Sequence, residues 1–199
     1  MLRTDIAKPH DLMARLRART GEAHRRLERD LDLLRQPLSM DRYIYLLERF
    51  YGFHAVWETQ VGRTLKDEAA FLLPRRRIHR IEQDLRALGV SERAIAELPL
   101  CLAAARLVQS PEAAIGSLYV MEGSTLGGQI ITRNLATARW LPAEGLGYFD
   151  PYGVATGTMW RHFAAWAEVT SARVSVPAIV AGALATFETL HGWLTPVRW

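Results

Sequence analysis

Cysteine is almost absent from this 199-residue chain. Cys101 stands alone, which excludes an intramolecular disulfide and any cysteine-rich metal cluster, and fits a reducing compartment. Lysine is scarce as well: of 25 basic residues, only Lys8 and Lys66 are not arginine. A guanidinium fork suits carboxylates and phosphates better than a point charge does. With a net charge of +4 and a pI near 9.6, the chain can take an acidic ligand, an acidic protein or nucleic acid. Long apolar runs are also missing. MLRTDIAKPH has no signal-peptide core, and the richest stretch, around Val176 to Phe187, is glycine-broken and too short to span a bilayer. The expectation is a soluble, cytoplasmic protein without membrane association.

Strand-like alternation is lacking, and so are repeats, low-complexity tracts and Ser/Gly linkers. A hydrophobic share of 49% is ample for one core, so residues 1–199 read as a single all-α domain, with about 1–10 as a flexible N-terminus. Helical apolar spacing runs from Asp11 to Leu34 and from Arg42 to about Leu65, with Pro37 between them and Ser39 or Asp41 as cap. RRRIHRIEQDLRALG after Pro74 reads as one amphipathic helix ended by Gly89, its basic run Arg75 to Arg80 a solvated face opposite Ile78, Ile81 and Leu85. That reading also weighs against nucleic-acid binding, which wants a basic recognition helix or interleaved aromatics. Ser91 opens a short helix that ends by Pro99. Ser110-Pro111 opens a long helix to about Ala138, and a Gly/Pro-containing loop separates it from helices at Thr158 to Arg173 and Pro177 to Leu194.

The long helix contains an anomaly. Gly123, Gly127 and Gly128 fall in its middle, at a combined propensity cost of about 3 kcal/mol against alanine. Gly123 and Gly127 share a face, with Ser124 and Gly128 beside them. Such a face admits close backbone approach or a kink, for a neighbouring helix or for a flat ligand. The second feature lies in RARTGEAHRRLERDL, where Thr20, His24 and Glu28 occupy successive turns. Glu28 is placed to hold one ring nitrogen of His24, as a metal-ligating imidazole requires. The same spacing is equally that of an ordinary helical His–Glu pair. His54 lies beside the apolar face of the second helix, His79 sits among arginines, and His162 and His191 lie in late helices near tryptophans. His10 is near the terminus, so spacing alone does not choose a ligand.

L-R-A-R-T-G-E-A-H-R-R-L-E together with Y-V-M-E-G-S-T-L-G-G-Q resembles the two signature segments of heme oxygenases, most closely the bacterial branch found with bacteriophytochromes. The similarity continues through GYFDPYG and TGTMWRHF. It implies a multi-helix heme oxygenase-like fold, with heme held between the first helix and a kinked glycine-rich distal helix. It implies His24 as iron ligand, Glu28 as its holder, and Gly123, Ser124, Gly127 and Gly128 as the distal wall. Arg17 and Tyr119 match propionate-side positions, with Thr20 and Arg161 as further cofactor-binding candidates. Mammalian members carry an aspartate where this chain has Ser124, which moves the task of ordering distal water to backbone groups, Thr125, Gln129 or a residue elsewhere.

The resemblance further implies heme as cofactor and substrate, with O2 as co-substrate and no other metal. Products would be biliverdin of the alpha type, carbon monoxide and ferrous iron. Electrons would come from an external ferredoxin or reductase, and a bacteriophytochrome apoprotein could receive the bilin. A non-catalytic heme carrier and a helical interaction module share these features. A thiaminase-like enzyme or a di-iron oxidase would use a similar scaffold; the latter needs several inward Glu and Glu-x-x-His ligands, no such pair is read here, and His24–Glu28 has the wrong spacing and order.

Overall fold

The computed structural model describes residues 12–34, 38–142 and 144–195. The expected flexible N-terminus, His10, Asp11 and Pro37 lie outside them. The described residues form eight α-helices: α1 (Leu12–Leu31), α2 (Met40–Thr64), α3 (Ala69–Leu72), α4 (Ile78–Ala87), α5 (Glu92–Ala96), α6 (Pro111–Leu135), α7 (Thr156–Ser171) and α8 (Val176–Leu194). Short 3-10 turns link several of them, and no strand occurs among the described residues. The all-α expectation holds.

Local chemistry sets the ends. Ser39, Ser110 and Ser175 each accept a backbone N–H three residues on, and Pro111 and Pro177 stand in the first turns that follow. The first helix stops at Leu31, short of the expected Leu34. Asp32 turns to a left-handed φ of 46°, and Arg42 donates to the freed Leu31 carbonyl at 2.5 Å.

α8 is the spine of the bundle, with α6 along one side and α1 along another; α7 also contacts both α6 and α1. α6 and α8 meet through reciprocal glycines. A Cβ placed on Gly116 would sit 2.0 Å from the Ile179 carbonyl, and one on Gly182 would sit 2.7 Å from Ala113. Only glycine permits that approach. Beside it, Trp57 Nε1 donates to Ser117 Oγ at 2.8 Å, and Thr186 Oγ1 lies 2.9 Å from that oxygen, bonded to Gly182 O. These contacts tie α2, α6 and α8 into one core. By contrast, α1 and α6 are not a packed pair.

One expected helix is wrong at its start. α4 begins at Ile78, not after Pro74, and Arg75 and Arg77 are buried rather than solvated. The cause is Glu58 of α2, whose Oε1 accepts the backbone N–H of Arg77 at 2.7 Å and of Ile78 at 3.0 Å. That carboxylate caps α4 from outside and pulls the basic segment inward. Of the run, Arg76 and His79 are exposed as expected.

The loop after α6 is pinned rather than loose. Asp84 accepts from Gly147 N at 2.9 Å and Tyr148 N at 2.8 Å, and Tyr43 Oη donates to Gly145 O. Tyr148 and Phe149 are thereby buried against α2.

Candidate functional site

The spacing His-x-x-x-Glu occurs twice, and the fold treats the two pairs oppositely. In α1, His24 Nε2 lies 3.2 Å from Glu28 Oε1, with both side chains more than half exposed, and the imidazole rests on Phe187 of α8. In α2, His54 Nδ1 lies 3.0 Å from Glu58 Oε1 and Nε2 lies 3.4 Å from Tyr148 Oη, in a fully buried setting. Burial holds His54 below the ordinary imidazole range and so neutral, with Nδ1–H donating to Glu58 and Nε2 accepting from Tyr148. Both its nitrogens are occupied. Of these two, His24 is the imidazole open to solvent, and His54 is a core histidine.

Of the other histidines, His162 is exposed and His191 Nε2 pairs with Asp30 at 2.8 Å. His191 and Glu188 do form one Glu-x-x-His on α8. Glu188 is taken by Arg26, however, and no group of three metal-ligating side chains occurs among the described residues.

α6 runs unbroken through its glycines. Ser124 Oγ donates to Met121 O at 2.7 Å and Thr125 Oγ1 to Glu122 O at 2.7 Å, back-bonds that tie the helix where the glycines weaken it. The three glycines do different work. A Cβ on Gly127 would meet nothing within 4 Å, and one on Gly123 would meet only the Trp160 ring at 3.7 Å. One on Gly128 would collide with the Phe149 carbonyl at 2.2 Å. Gly128 therefore lets the pinned loop pack behind the helix, while Gly123 and Gly127 face outward. Leu126 and Ile130 are large apolar side chains left exposed next to them.

The remaining expected residues scatter. Tyr119 is half-buried, one turn before Gly123, and its ring lies 5.9 Å from that of Trp160, so the two residues share a neighbour on α7. Arg17 is exposed on α1. Arg161 is exposed and donates to Thr158 at 2.9 Å. Thr20 is buried and spends its hydroxyl on Leu16 O at 2.8 Å, away from solvent.

Behind the glycine strip lies a cluster that the sequence reading missed. Arg77 donates from Nη1 to Ser124 Oγ at 3.2 Å and from Nη2 to Met121 O at 2.5 Å. Glu122, next to Gly123, is buried with Oε2 3.5 Å from Arg75 Nε and accepts from Tyr152 Oη at 2.9 Å. Burial pushes the Glu122 carboxyl above its ordinary value, against the lowering pull of Arg77 and Arg75. The one available signal was Glu122 itself, a charge inside an otherwise apolar half-helix, which calls for buried cations. A cavity of about 390 Å³ lies elsewhere, lined by Trp57, Val61, Leu72, Leu118, Glu58 and Arg75 among others, and none of the expected site residues borders it.

An outward Cβ-free strip bordered by exposed apolar side chains, on a helix not packed against the one bearing a reachable imidazole, fits a flat apolar ligand with a metal centre. The described scaffold is an all-helical bundle that presents an exposed imidazole on α1 and an outward Cβ-free strip on α6. Comparison with known proteins defines it further. The family model described as heme oxygenase matches residues 10–195. A curated heme oxygenase from Xanthomonas campestris pv. campestris (strain 8004) is 35% identical over 166 residues, 77% of this chain and 89% of the relative.

Solved structures of a heme oxygenase from Leptospira interrogans and of heme oxygenase 2 from Chlamydomonas reinhardtii superpose with TM-scores of 0.79 and 0.76. They share 18% and 21% identity; each alignment covers 94% of this chain, with 100% and 97% of the respective structures. Heme oxygenase-1 from the cyanobacterium Synechocystis sp. PCC6803, solved in complex with heme, gives 0.71 at 19% identity, covering 92% and 90%. The chain belongs to the heme oxygenase family.

Proposed function

We propose that this chain cleaves heme with O2 and externally supplied electrons to biliverdin, carbon monoxide and ferrous iron, with His24 as the iron ligand. The contrast between the two histidines supports this most directly: His24 is exposed beside a carboxylate, whereas His54 has both nitrogens engaged in the core. Heme, the substrate, also supplies the redox metal that activates oxygen. Everything else falls to the protein. Glu28 steadies the imidazole and favours one tautomer. Gly123 and Gly127 let the α6 backbone come close to the macrocycle, and Leu126 and Ile130 shed water from its apolar face. Arg17 on α1 and Arg161 on α7 are exposed cations that would give the carboxylate edge of the ligand charge-assisted partners.

The electron donor is external, a ferredoxin or reductase of acidic surface meeting the arginine-rich exterior. The bilin formed is of the alpha type, supplied in the cytoplasm to a bacteriophytochrome apoprotein, as in the bacterial branch that the signature segments resemble. No described helix is long and apolar enough to cross a membrane.

The test is to mix purified protein with hemin, O2 and a reductant and follow the absorption spectrum. Bilin absorption should replace that of heme, and H24A should lose turnover while keeping its thermal midpoint. Hemin binding without bilin formation would instead mark a carrier. Normal turnover in H24A would remove His24 as the ligand.

A further inference from the structure

Aromatic rings on α7 form a line that starts at the glycine strip. A Cβ on Gly123 would stand 3.7 Å from the Trp160 ring, so that indole borders the open face. Its centroid lies 5.6 Å from that of Phe163, and Phe163 lies 6.1 Å from Trp166. Tyr119 of α6 joins the inner end, 5.9 Å from Trp160. At the outer end Trp166 stacks on Phe71 at 4.3 Å, and its Nε1 donates to Glu68 Oε2 at 3.1 Å. Phe163 is wholly buried, whereas Trp160, Trp166 and Glu68 are half-buried.

Packing accounts for the ring contacts, but it does not call for a carboxylate on the outer indole. Indole and phenol are the aromatic side chains that give up a single electron most readily. A benzene ring does not, so Phe163 bridges the two tryptophans without carrying the charge itself. An oxidised indole is a positive ring with an acidic N–H. A carboxylate already bonded to that N–H stabilises the charge and can take the proton with neither group moving. Trp57 and Trp193 lack this arrangement. Trp57 gives its N–H to the neutral hydroxyl of Ser117, and the Trp193 ring lies under the Arg49 guanidinium at 3.3 Å, whose charge opposes oxidation.

We propose that Trp160 and Trp166 form a relay that drains oxidising equivalents away from the heme site. When activated oxygen fails to attack the macrocycle, heme is left short of electrons. One electron then passes to it from the Trp160 ring. Trp166 restores Trp160 with one of its own and releases its indole proton to Glu68. An external one-electron reductant such as ascorbate refills Trp166 at its exposed edge, and Glu68 returns the proton. The inference rests on the reading that heme lies on the Gly123–Gly127 strip.

The test reads the radical directly. Ferric heme-loaded protein is mixed with a peracid, which withdraws two electrons from the heme, then frozen and examined by electron paramagnetic resonance. Ring-deuterated tryptophan or tyrosine, incorporated in separate samples, assigns the signal. Wild type should show a radical that narrows with deuterated tryptophan and is lost when ascorbate is added before freezing. W166F and W160F should each lose that signal. In W166F, peptide mass spectra should show oxidation accumulating at Trp160 and Tyr119, no longer suppressed by ascorbate. E68Q should keep the indole proton on the oxidised ring, so its spectrum narrows in D2O where that of wild type does not.

A radical that does not respond to deuterated tryptophan, or one that survives unchanged in W166F or W160F, would overturn the relay. An E68Q spectrum identical to wild type would remove Glu68 as the proton acceptor. If W166F does not fold, W160F decides alone, because the outer indole cannot be oxidised through a missing inner one. G127L serves as the separate arm. If it leaves heme affinity unchanged, heme does not lie on the strip, whatever the radical result.

Discussion

Oε1 of Glu58 stands 3.0 Å from Nδ1 of His54 and accepts two backbone N–H groups, from Arg77 and Ile78, at the same time. One oxygen thus orients a core histidine, caps α4 and turns a basic segment inward. Glu58→Ala would strand three buried donors together. Urea unfolding at neutral pH should show a loss of about 3 kcal/mol or more, at the upper end for a single site.

The same carboxyl carries a pH signature. Burial would raise it, but the His54 hydrogen bond, the Arg77 backbone N–H and Arg76 outweigh that and hold it down, to about 2 from an ordinary 4.5. A depressed folded value stabilises the fold above the unfolded value and loses that contribution as pH falls toward the folded one. The unfolding free-energy gap between wild type and Glu58→Gln should be flat above about pH 5.5 and shrink steadily between pH 5 and 3. A gap that stays constant across that range would refute the assignment.

Asp84 should run the other way. Burial pushes its carboxyl up to about 6 from 3.8, against the lowering effect of the Tyr148 and Gly147 N–H groups. A raised folded value means stability that is fully present below the unfolded value and lost as pH rises through about 6. Relative to Asp84→Asn, which does not titrate, wild type should gain about 1 kcal/mol between pH 7 and pH 5.

Two glycine substitutions on α6 should have opposite signs. Gly116→Ala drives a methyl into the Ile179 carbonyl and should cost several kcal/mol, a scale set by overpacking at a rigid backbone contact. Gly127→Ala meets open space and should raise stability by up to about 1 kcal/mol through helix propensity. Calorimetry of the heme-free protein reads both. The stabilised Gly127→Ala protein should nonetheless bind hemin more weakly, because its methyl occupies the approach surface.

Ser117→Ala removes the acceptor for the buried Trp57 Nε1 and the neighbour of Thr186 without making a sizeable cavity. An orphaned indole N–H should reduce stability by about 1–3 kcal/mol, measured by denaturant unfolding. A change below about 0.5 kcal/mol would mean that the indole finds another partner.

Much of this was legible in the chain. The helices, their serine caps and the glycine anomaly on α6 follow from spacing and cap chemistry, which act over a few residues. The roles within the anomaly did not follow, because Gly128 differs from Gly127 only by what lies behind it, a loop fixed by Asp84 from another helix. His24 and His54 were indistinguishable for the same reason: both have a glutamate four residues on, and only tertiary burial separates them. The arginine run misled because periodicity treats every arginine as a solvent residue. Glu58 in α2 was the partner of the Arg77 backbone, and Glu122 in α6 that of the buried Arg75.

α6 is anchored unequally along its length. Its first half is locked to α8 by the reciprocal contacts at Gly116 and Gly182, with no room to slide. Past Gly123 its outer side leans on a single tryptophan ring and then on nothing. Past its midpoint the helix is thus braced on one side only, where the Phe149 carbonyl backs Gly128. A large planar guest can seat on the unbraced side without disturbing the Trp57–Ser117–Thr186 core.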